Sequence, residues 1–500
     1  MTIVNVDPFM SEELFQHIWQ FRLFTQSGLT TLEGDPVQID HTGQLNRHAG
    51  PDFTGARIRI GTTLWVGNVE MHLKTSDWFR HGHQYNLQYR NVVLHVVFEH
   101  DMEGVSTHGI PVLQLQHCIP RLLLQRYKGL WQSAAYVPCA GSVQEVSSLV
   151  WTGWKDRLLI ERLEQKTVLF RSWLVQTQYN WEEVCYRALA RGAGSPVNGE
   201  VFLALAHSLP YKLLLRHQHD QGQLEALLFG QAGMLGMGRR AGDDIRQGDV
   251  IGGMPPDKRR NLGEDEVDLM VSNGCLSIDK GVCGKQVLPG ITDIDTGTTS
   301  REKSRIIPDD YMVYLQREYA YLRHKYKLAP LDEQRWKWLR MRPASFPSMK
   351  IAAMAALLHH QRRLFSAMLD APDVKHLESM LSVSPSDYWK THYRFGKPVR
   401  RTSMPGRTAV HNMLINTVLP LLYMYGKEKK DAVFQEKIIS FMGQLPAEDN
   451  HVMRAWKALH INAGSAGETQ ALLQLKQAYC EQKRCLQCAI GAKLLRSGIA

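Results

Sequence analysis

The sequence of 500 residues has no run of about 18 consecutive apolar residues, the length that a transmembrane helix requires. Its first ten residues include Asp7 and Pro8 and lack the basic start and apolar stretch of a secretory signal. Eight cysteines are too few for a disulfide scaffold. These absences argue against membrane and secreted proteins, and we expect a cytoplasmic protein without a membrane partner.

The composition is that of a globular protein, with 44% hydrophobic and 22% charged residues. At roughly 100–200 residues per domain, the length predicts two to four domains. Lysine and arginine number 59 against 49 acidic residues, a formal net charge of +10. Such a positive field attracts polyanions and predicts a nucleic-acid partner. A basic soluble protein without that partner is the alternative.

Periodicity divides the chain into four regions. We expect an α/β domain over 1–120 and a helical domain over 147–236. A Gly- and Asp-rich insertion follows over 237–305, and a second helical domain with terminal cysteines covers 306–500. The fold class is therefore an α/β unit, with a mixed sheet and flanking helices, followed by a large all-α region.

The N-terminal region predicts one helix followed by strands. Ser11 and two acidic residues open a helix with apolar residues at helical spacing. Strands are predicted over 56–60, 64–73 and 91–98, the last nearly all apolar and so central in its sheet. The later helices are predicted over 154–173, 311–326, 348–369, 410–425, 432–442 and 471–495.

Alternation along the second strand creates a polar face. Val69, Met71 and Leu73 should face a core, which leaves Glu70, His72 and Lys74 together on the other face.

Asp52 precedes the first strand, and the hairpin folds it back beside Glu70. Two carboxylates next to a basic side chain suit a hard divalent ion, Mg²⁺ or Mn²⁺. Such an ion activates water and neutralises charge on a phosphate. Glu13 is a further candidate for this metal shell.

This arrangement resembles the PD-(D/E)XK phosphodiesterase superfamily, which includes restriction enzymes and resolvases. The resemblance covers the first helix, the Pro51-Asp52 pair, the hairpin, the acidic-x-basic triplet and the apolar strand after it. It implies a restriction-endonuclease-like core in which Asp52 and Glu70 hold the metal and the basic residue two after Glu70 positions water. Here that residue is His72 and not lysine, so His72 or Lys74 would serve.

Histidines follow this motif and open other interpretations. Within a nuclease, His81 and His83 would contact the scissile phosphate or protonate the leaving group. Alternatively, His81 and His83 with Asp77 or His95 would bind Zn²⁺ in a transition-metal hydrolase. A third interpretation makes the polar residues of the strand a solvated sheet face, and His95 a hydrogen-bonded core residue.

The wider sequence resembles an uncharacterised bacterial family of unknown function, number 2851. The stretches that carry this likeness are 50–53, 69–72, 77–83, 340–343, 388–395 and the terminal cysteines. The likeness spans nearly the whole chain except 237–305, and it implies no activity.

Three cysteines close to one another suggest a metal site. Cys480, Cys485 and Cys488 form a C-x₄-C-x₂-C pattern, and Cys139 is the candidate fourth ligand. Zinc and a 4Fe–4S cluster both take four thiolates. Some nucleases of the resembled superfamily carry such a cluster, although the spacing here differs. Core cysteines are the alternative.

Two basic stretches with aromatic residues predict contact with nucleic acid, because cations neutralise phosphates and aromatic rings stack on bases. The candidate residues are Arg335, Lys337, Arg340, Arg342, Arg394, Lys397, Arg400 and Arg401. A helix with buried tryptophans and solvated arginines is the alternative.

These observations together predict a metal-dependent phosphodiesterase or nuclease-like protein acting on nucleic acid. A catalytically inactive scaffold that binds nucleic acid or protein is the alternative. The His/Asp transition-metal hydrolase is the second alternative.

Overall fold

The computed structural model describes residues 9–102, 109–236, 309–338, 341, 345–399 and 406–497. The predicted insertion over 237–305 lies outside these residues. An α/β unit comes first and a helical region follows, which confirms the predicted order of fold classes.

The α/β unit contains one mixed sheet. Its elements are α1 (Glu12–Gln20), β1 (Val37–His41), β2 (Gln44–Leu45), β3 (Phe53–Ile60), β4 (Thr63–Lys74), α2 (Asp77–Arg80), 3₁₀ turns at His83–Tyr85 and Leu87–Tyr89, β5 (Val92–Glu99), β6 (Val112–Gln114) and α3 (Arg121–Gln132). The strand order is β1-β3-β4-β5-β6, with β2 alongside β3. Strands β1, β3 and β4 are antiparallel, while β5 and β6 run parallel to β4.

Helix α1 forms where the sequence predicts it. The Ser11 hydroxyl accepts a hydrogen bond from the Leu14 N–H at 3.2 Å and so caps the first turn. Phe15 and Trp19 are fully buried on one face of the helix, and Phe15 packs edge-on against Phe98 of β5. The helix therefore covers the apolar side of the sheet.

Strand β4 separates two environments, as its alternation predicts. Val69 and Met71 belong to the hydrophobic core beneath the sheet, and Leu73 packs against it. Glu70 and His72 are also buried, on the opposite face. Both faces of β4 are thus covered. A shift of its pairing register by one residue would therefore place polar side chains in the core and apolar side chains on the opposite face.

The second region is helical. Its α-helices are α4 (Ser148–Gln176), α5 (Trp181–Gly194), α6 (Gly199–Ser208), α7 (Tyr211–Leu215), α8 (Gln221–Gln231), α9 (Asp310–Tyr326), α10 (Pro347–His360), α11 (Leu364–Leu369), α12 (Val374–Leu381), α13 (Asp387–Thr391), α14 (Arg407–Met413), α15 (Leu419–Glu428), α16 (Ala432–Gln444), α17 (His451–Ala458), α18 (Ala466–Gln474) and α19 (Ala489–Arg496). A short hairpin, β7 (His392–Arg394) and β8 (Lys397–Pro398), 3₁₀ turns at Val143–Glu145 and Glu333–Arg335, and π turns at Leu414–Val418 and Leu475–Cys480 complete it.

Two helices predicted as continuous are interrupted. The prediction over 348–369 misses a break after His360, where the Glu182 carboxylate accepts hydrogen bonds from the N–H groups of Phe365 and Ser366 and caps a new helix. The prediction over 471–495 misses a break after Cys480, where Lys483 takes a left-handed conformation with φ 50°. The first break depends on a tertiary contact and the second on a left-handed residue, and apolar spacing reveals neither.

The hydrophobic residues form two cores. The larger core unites the helices of the regions 147–236 and 306–500. The smaller core lies under the sheet, and it includes Leu486 and the fully buried Leu495 from the C-terminal segment. None of the helices in the described ranges combines the length and apolar character needed to cross a membrane.

Replacing Leu495 with Ala should therefore destabilise the α/β unit, although Leu495 lies far from it in sequence. We expect the free energy of unfolding to fall by about 2–5 kcal/mol, the usual cost of such a cavity. Urea denaturation with hydrogen exchange of β3 and β4 measures it. Leu149→Ala, at an 81% exposed position, is the control. Equal exchange in both variants would contradict the shared core.

Candidate functional site

Two carboxyl groups, the half-buried Asp52 and the buried Glu70, meet at the start of β3 and in β4. The backbone N–H of Asp52 donates to Glu70 Oε2 at 3.0 Å, and the N–H of Met71 donates to Asp52 Oδ2 at 3.0 Å. The Gln16 amide, from α1, donates to Asp52 Oδ1 at 2.8 Å. The structure thus brings Asp52 and Glu70 together across the hairpin.

Burial makes both carboxyl groups weaker acids. It raises the pKa of Asp52 to about 6, against the opposing hydrogen bond from Met71. Burial and the charge of Asp52 raise the pKa of Glu70 to about 8. Within the described residues, no lysine or arginine forms an ion pair with either group. The pair therefore lacks the positive charge that would hold both carboxylates ionised.

The segment after β4 carries histidines back over this polar face. Asp77 fixes the turn by accepting a hydrogen bond from the Lys74 N–H at 3.2 Å. Gly82, with φ 71°, allows the chain to reverse between His81 and His83. A short helix and a left-handed glycine therefore place both histidines beside the strand.

Three histidine side chains converge beside Glu70. Potential ligand atoms of His72, His81 and His83 all lie within 4.8 Å of one another. His72 Nε2 shares a hydrogen bond with His81 Nδ1 at 3.2 Å. Glu70 Oε1 lies 3.3 Å from His83 Nε2 and 3.6 Å from His72 Nε2. We call these three residues the histidine trio.

The buried histidines are neutral at physiological pH. Burial, with the charges of neighbouring histidines, lowers the pKa of His72 to about 2 and of His83 to about 4. His95 Nε2 shares a hydrogen bond with His72 Nδ1 at 2.9 Å, and burial lowers the pKa of His95 to about 3. His95 is thus a bonded core residue that orients His72, since it fixes one ring nitrogen.

These donors fit a divalent cation in two overlapping ways. Asp52 and Glu70 offer hard oxygen ligands, whereas the histidine trio with Glu70 offers three nitrogens and one oxygen. The Nε2 atom of His83 is buried and has no hydrogen bond within the described chain, so it is available to bind a metal ion. His81 is exposed, so the site opens to solvent on its side.

Several neighbouring residues differ from the sequence prediction. Glu12, rather than Glu13, lies close enough for its charge to raise the pKa of both Asp52 and Glu70. Glu13 instead accepts a hydrogen bond from Gln487 at 2.9 Å. Sequence analysis also missed Gln16, which stands four residues after Glu12. That helical spacing was the available signal, but it does not show which face of α1 meets Asp52.

Two other side chains complete the description of the site. The Tyr89 ring stacks on His83 at 3.9 Å, and burial together with the charges of Glu70 and Asp52 raises the pKa of Tyr89 to about 12. Tyr89 therefore keeps its hydroxyl proton. Lys74 is exposed at the end of β4, with its backbone N–H bound to Asp77.

The described basic residues come together on the helical region. Arg335, Lys337 and Lys397 are exposed, and the Arg394 guanidinium lies over the Trp338 ring, 4.6 Å from its centroid. This contact joins the two predicted basic stretches. Arg340, Arg342, Arg400 and Arg401 lie outside the described residues. Trp336 is buried, and its indole donates to the Ala232 carbonyl at 2.8 Å.

The predicted cysteine ligands lie at two places in the chain. Cys139 follows α3, and Cys480 ends a π turn. Cys485 lies in the turn that follows, and Cys488 stands immediately before α19. All four thiols are free of disulfides.

A family model described as "Protein of unknown function (DUF2851)" matches residues 12–247 and 302–451. Both site carboxylates and the histidine trio lie within the matched residues, whereas the terminal cysteines lie beyond them. No curated protein and no solved structure matches the chain.

Glu70 should impose a pH dependence on the stability of the metal-free protein. Since its folded pKa is raised from 4.5 to about 8, its stabilising contribution is present below pH 4.5 and lost as pH rises through 8. Glu70→Gln should therefore gain stability relative to the parent between pH 5 and pH 8, by more than about 1.4 kcal/mol. Urea denaturation in EDTA measures this gain. Glu13→Gln should show no such gain. Plots of the free energy of unfolding against pH that run parallel for Glu70→Gln and the parent would contradict the expectation.

Proposed function

Because the chain belongs to this family of proteins of unknown function, whose description assigns no activity, we propose a function from the site: metal-dependent hydrolysis of phosphodiesters in nucleic acid. The observation that carries the proposal is the pairing of the half-buried Asp52 with the buried Glu70, neither of which has a lysine or arginine partner among the described residues. Mg²⁺ or Mn²⁺ would supply the missing charge.

The arrangement of elements supports a restriction-endonuclease-like core. One helix precedes three antiparallel strands, and two further strands run parallel to the last of them. Asp52 stands at the start of the second long strand and Glu70 within the third, with His72 two residues later. This is the order of the PD-(D/E)XK motif, with histidine in the lysine position.

Each residue has a distinct role in the proposal. Asp52 and Glu70 would hold the ion, which when bound supplies an activated water and neutralises charge on the phosphate. His72 stays neutral because its pKa is lowered to about 2, so it can accept a hydrogen bond or ligate but cannot replace the lysine charge. The exposed His81 is placed to exchange protons with water or the leaving group.

A second candidate function rests on the histidine trio. The three imidazole nitrogens form the kind of donor set that binds Zn²⁺ and leaves the fourth position for water, with Glu70 Oε1 beside it. That set would support a transition-metal hydrolase and would not require Asp52. Glu70 lies at both sites, so the two functions are separated by metal binding in variants of Asp52 and of His81, since each of these residues is a candidate ligand at one site only.

We expect Asp52→Asn and Glu70→Gln to weaken Mn²⁺ binding by more than the 10–100-fold that an outer hydrogen bond contributes. Both should abolish cleavage of DNA or RNA, because each removes a carboxylate ligand. Calorimetry with Mn²⁺ and a nuclease assay measure these effects. Glu13→Gln is the matched control, since Glu13 bonds to Gln487.

The same variants separate the alternatives. Zn²⁺ binding that survives Asp52→Asn but disappears in His81→Ala would favour the transition-metal hydrolase. Unchanged cleavage in Asp52→Asn and Glu70→Gln would refute the phosphodiesterase. Nucleic-acid binding with no metal bound to the parent protein would favour a catalytically inactive scaffold.

We also propose that the joined basic stretches contact the nucleic-acid backbone. Lys337 and Lys397 are exposed, and the half-buried Arg394 and Trp338 form a cation–aromatic pair between them. A pair of this kind can stack on an unpaired base while the lysines neutralise phosphates. The surface would then hold substrate without reading its sequence.

The double variant Lys337→Gln, Lys397→Gln should bind a single-stranded DNA oligonucleotide more weakly. Two phosphate contacts fewer should reduce the slope of log K against log salt by about 1.4. Fluorescence anisotropy at several salt concentrations measures the slope. The pair Lys212→Gln, Lys375→Gln removes two exposed lysines elsewhere as the control. An equal loss in both pairs would contradict a defined surface.

A further inference from the structure

Two distant stretches of the chain lie against each other at the boundary between the two cores. The Lys476 ammonium donates a hydrogen bond to the Tyr136 carbonyl oxygen at 3.0 Å, and the Lys483 ammonium donates to the Trp131 carbonyl oxygen. Cys139 packs against both cores. The end of α3 and the segment after it, which leads to Cys139, therefore meet the C-terminal segment.

Four sulfur atoms gather at this contact: those of Cys139, Cys480, Cys485 and Cys488. Cys488 is buried and the other three are half-buried. For each of the six pairs that these four cysteines can form, the negative charge of one sulfur raises the pKa of the other. An influence of that kind requires that the groups lie close together. Cys118, in contrast, is affected by burial alone.

Burial raises the pKa of all four thiols, and N–H donors and a lysine around two of them partly oppose that effect. The indole N–H of Trp154 lies near the Cys488 sulfur and favours its thiolate, against the larger effect of burial, which raises the pKa of Cys488. Two backbone N–H groups at the start of α19 act on the same sulfur. The Lys483 charge stabilises the thiolate of Cys485. N–H donors of this kind are found around metal-bound thiolates, where they tune the site.

The spacing favours a cluster over a single ion. Four sulfurs around one Zn²⁺ lie about 3.8 Å apart, given a Zn–S bond of about 2.3 Å. Among the described residues, the histidine trio alone brings three ligand atoms within 4.8 Å of one another. The sulfurs are therefore close but wider apart than zinc requires, and an iron–sulfur cluster places several metal atoms between its cysteines.

We propose that Cys139, Cys480, Cys485 and Cys488 hold an iron–sulfur cluster that ties the C-terminal segment to the end of the α/β unit. Leu486 and Leu495, which flank or follow the ligands, pack into the core beneath the sheet. The cluster would hold in place the C-terminal segment that carries Leu486 and Leu495. This proposal is independent of the proposed hydrolysis, since it uses none of the residues at the carboxylate and histidine site.

The test uses the full chain, produced and purified without oxygen. We expect about two to four iron atoms and an equal amount of acid-labile sulfide per chain, with broad visible absorbance. Serine at any of the four positions should remove the iron, the sulfide and the absorbance. Cys118→Ser, at a half-buried cysteine outside the group, should keep all three. Asp52→Asn should also keep them, which separates this site from the proposed hydrolytic one.

A second readout reports the structural role. Loss of the cluster in Cys139→Ser should increase hydrogen exchange over residues 486–496, although the substitution lies more than 300 positions earlier. One zinc per chain without iron would overturn the cluster. A chain free of metal, or a disulfide within the group in the anaerobic protein, would overturn the thiolate site altogether.

Discussion

The rest of the site depends on two hydrogen bonds, in which the backbone N–H of Asp52 donates to the Glu70 carboxylate and the N–H of Met71 donates to the Asp52 carboxylate. These bonds hold two carboxyl groups side by side, where lost hydration weakens both as acids and the charge of Asp52 further weakens Glu70. The imidazoles of His72, His83 and His95 are neutral for the same reason, since burial disfavours their charged forms. The polar face is thus short of positive charge.

Strand β4 distributes these groups because its successive side chains point to opposite sides. Val69 and Met71 anchor it to the core beneath the sheet, so Glu70 and His72 must face the other way. The parallel register with β5 then sets His95 beside Glu70, where it bonds to His72. The apolar packing therefore fixes the polar geometry, since the strand cannot shift without burying the wrong face.

Sequence alternation predicted this much of the site correctly: the strand, its two faces and the return of Asp52 to Glu70. It did not predict that Glu12 rather than Glu13 approaches the carboxylates, because the rotation of α1 about its axis is set by packing against the sheet. Helix breaks were missed for a similar reason. Glu182, which is remote in sequence, caps the helix that begins at Leu364. The spacing of apolar residues gives no information about that contact.

The membership of Leu486 and Leu495 in the core beneath the sheet has a consequence for biosynthesis. Domains usually fold in the order in which the ribosome delivers them. Here the sheet emerges first, yet its core has a gap until residues 486–495 have been translated. A product truncated before residue 486 would keep Asp52, Glu70 and the histidine trio on an incompletely packed scaffold. Assembly of the site is thereby tied to synthesis of residues 486–495, and shorter chains expose apolar surface that chaperones and proteases recognise.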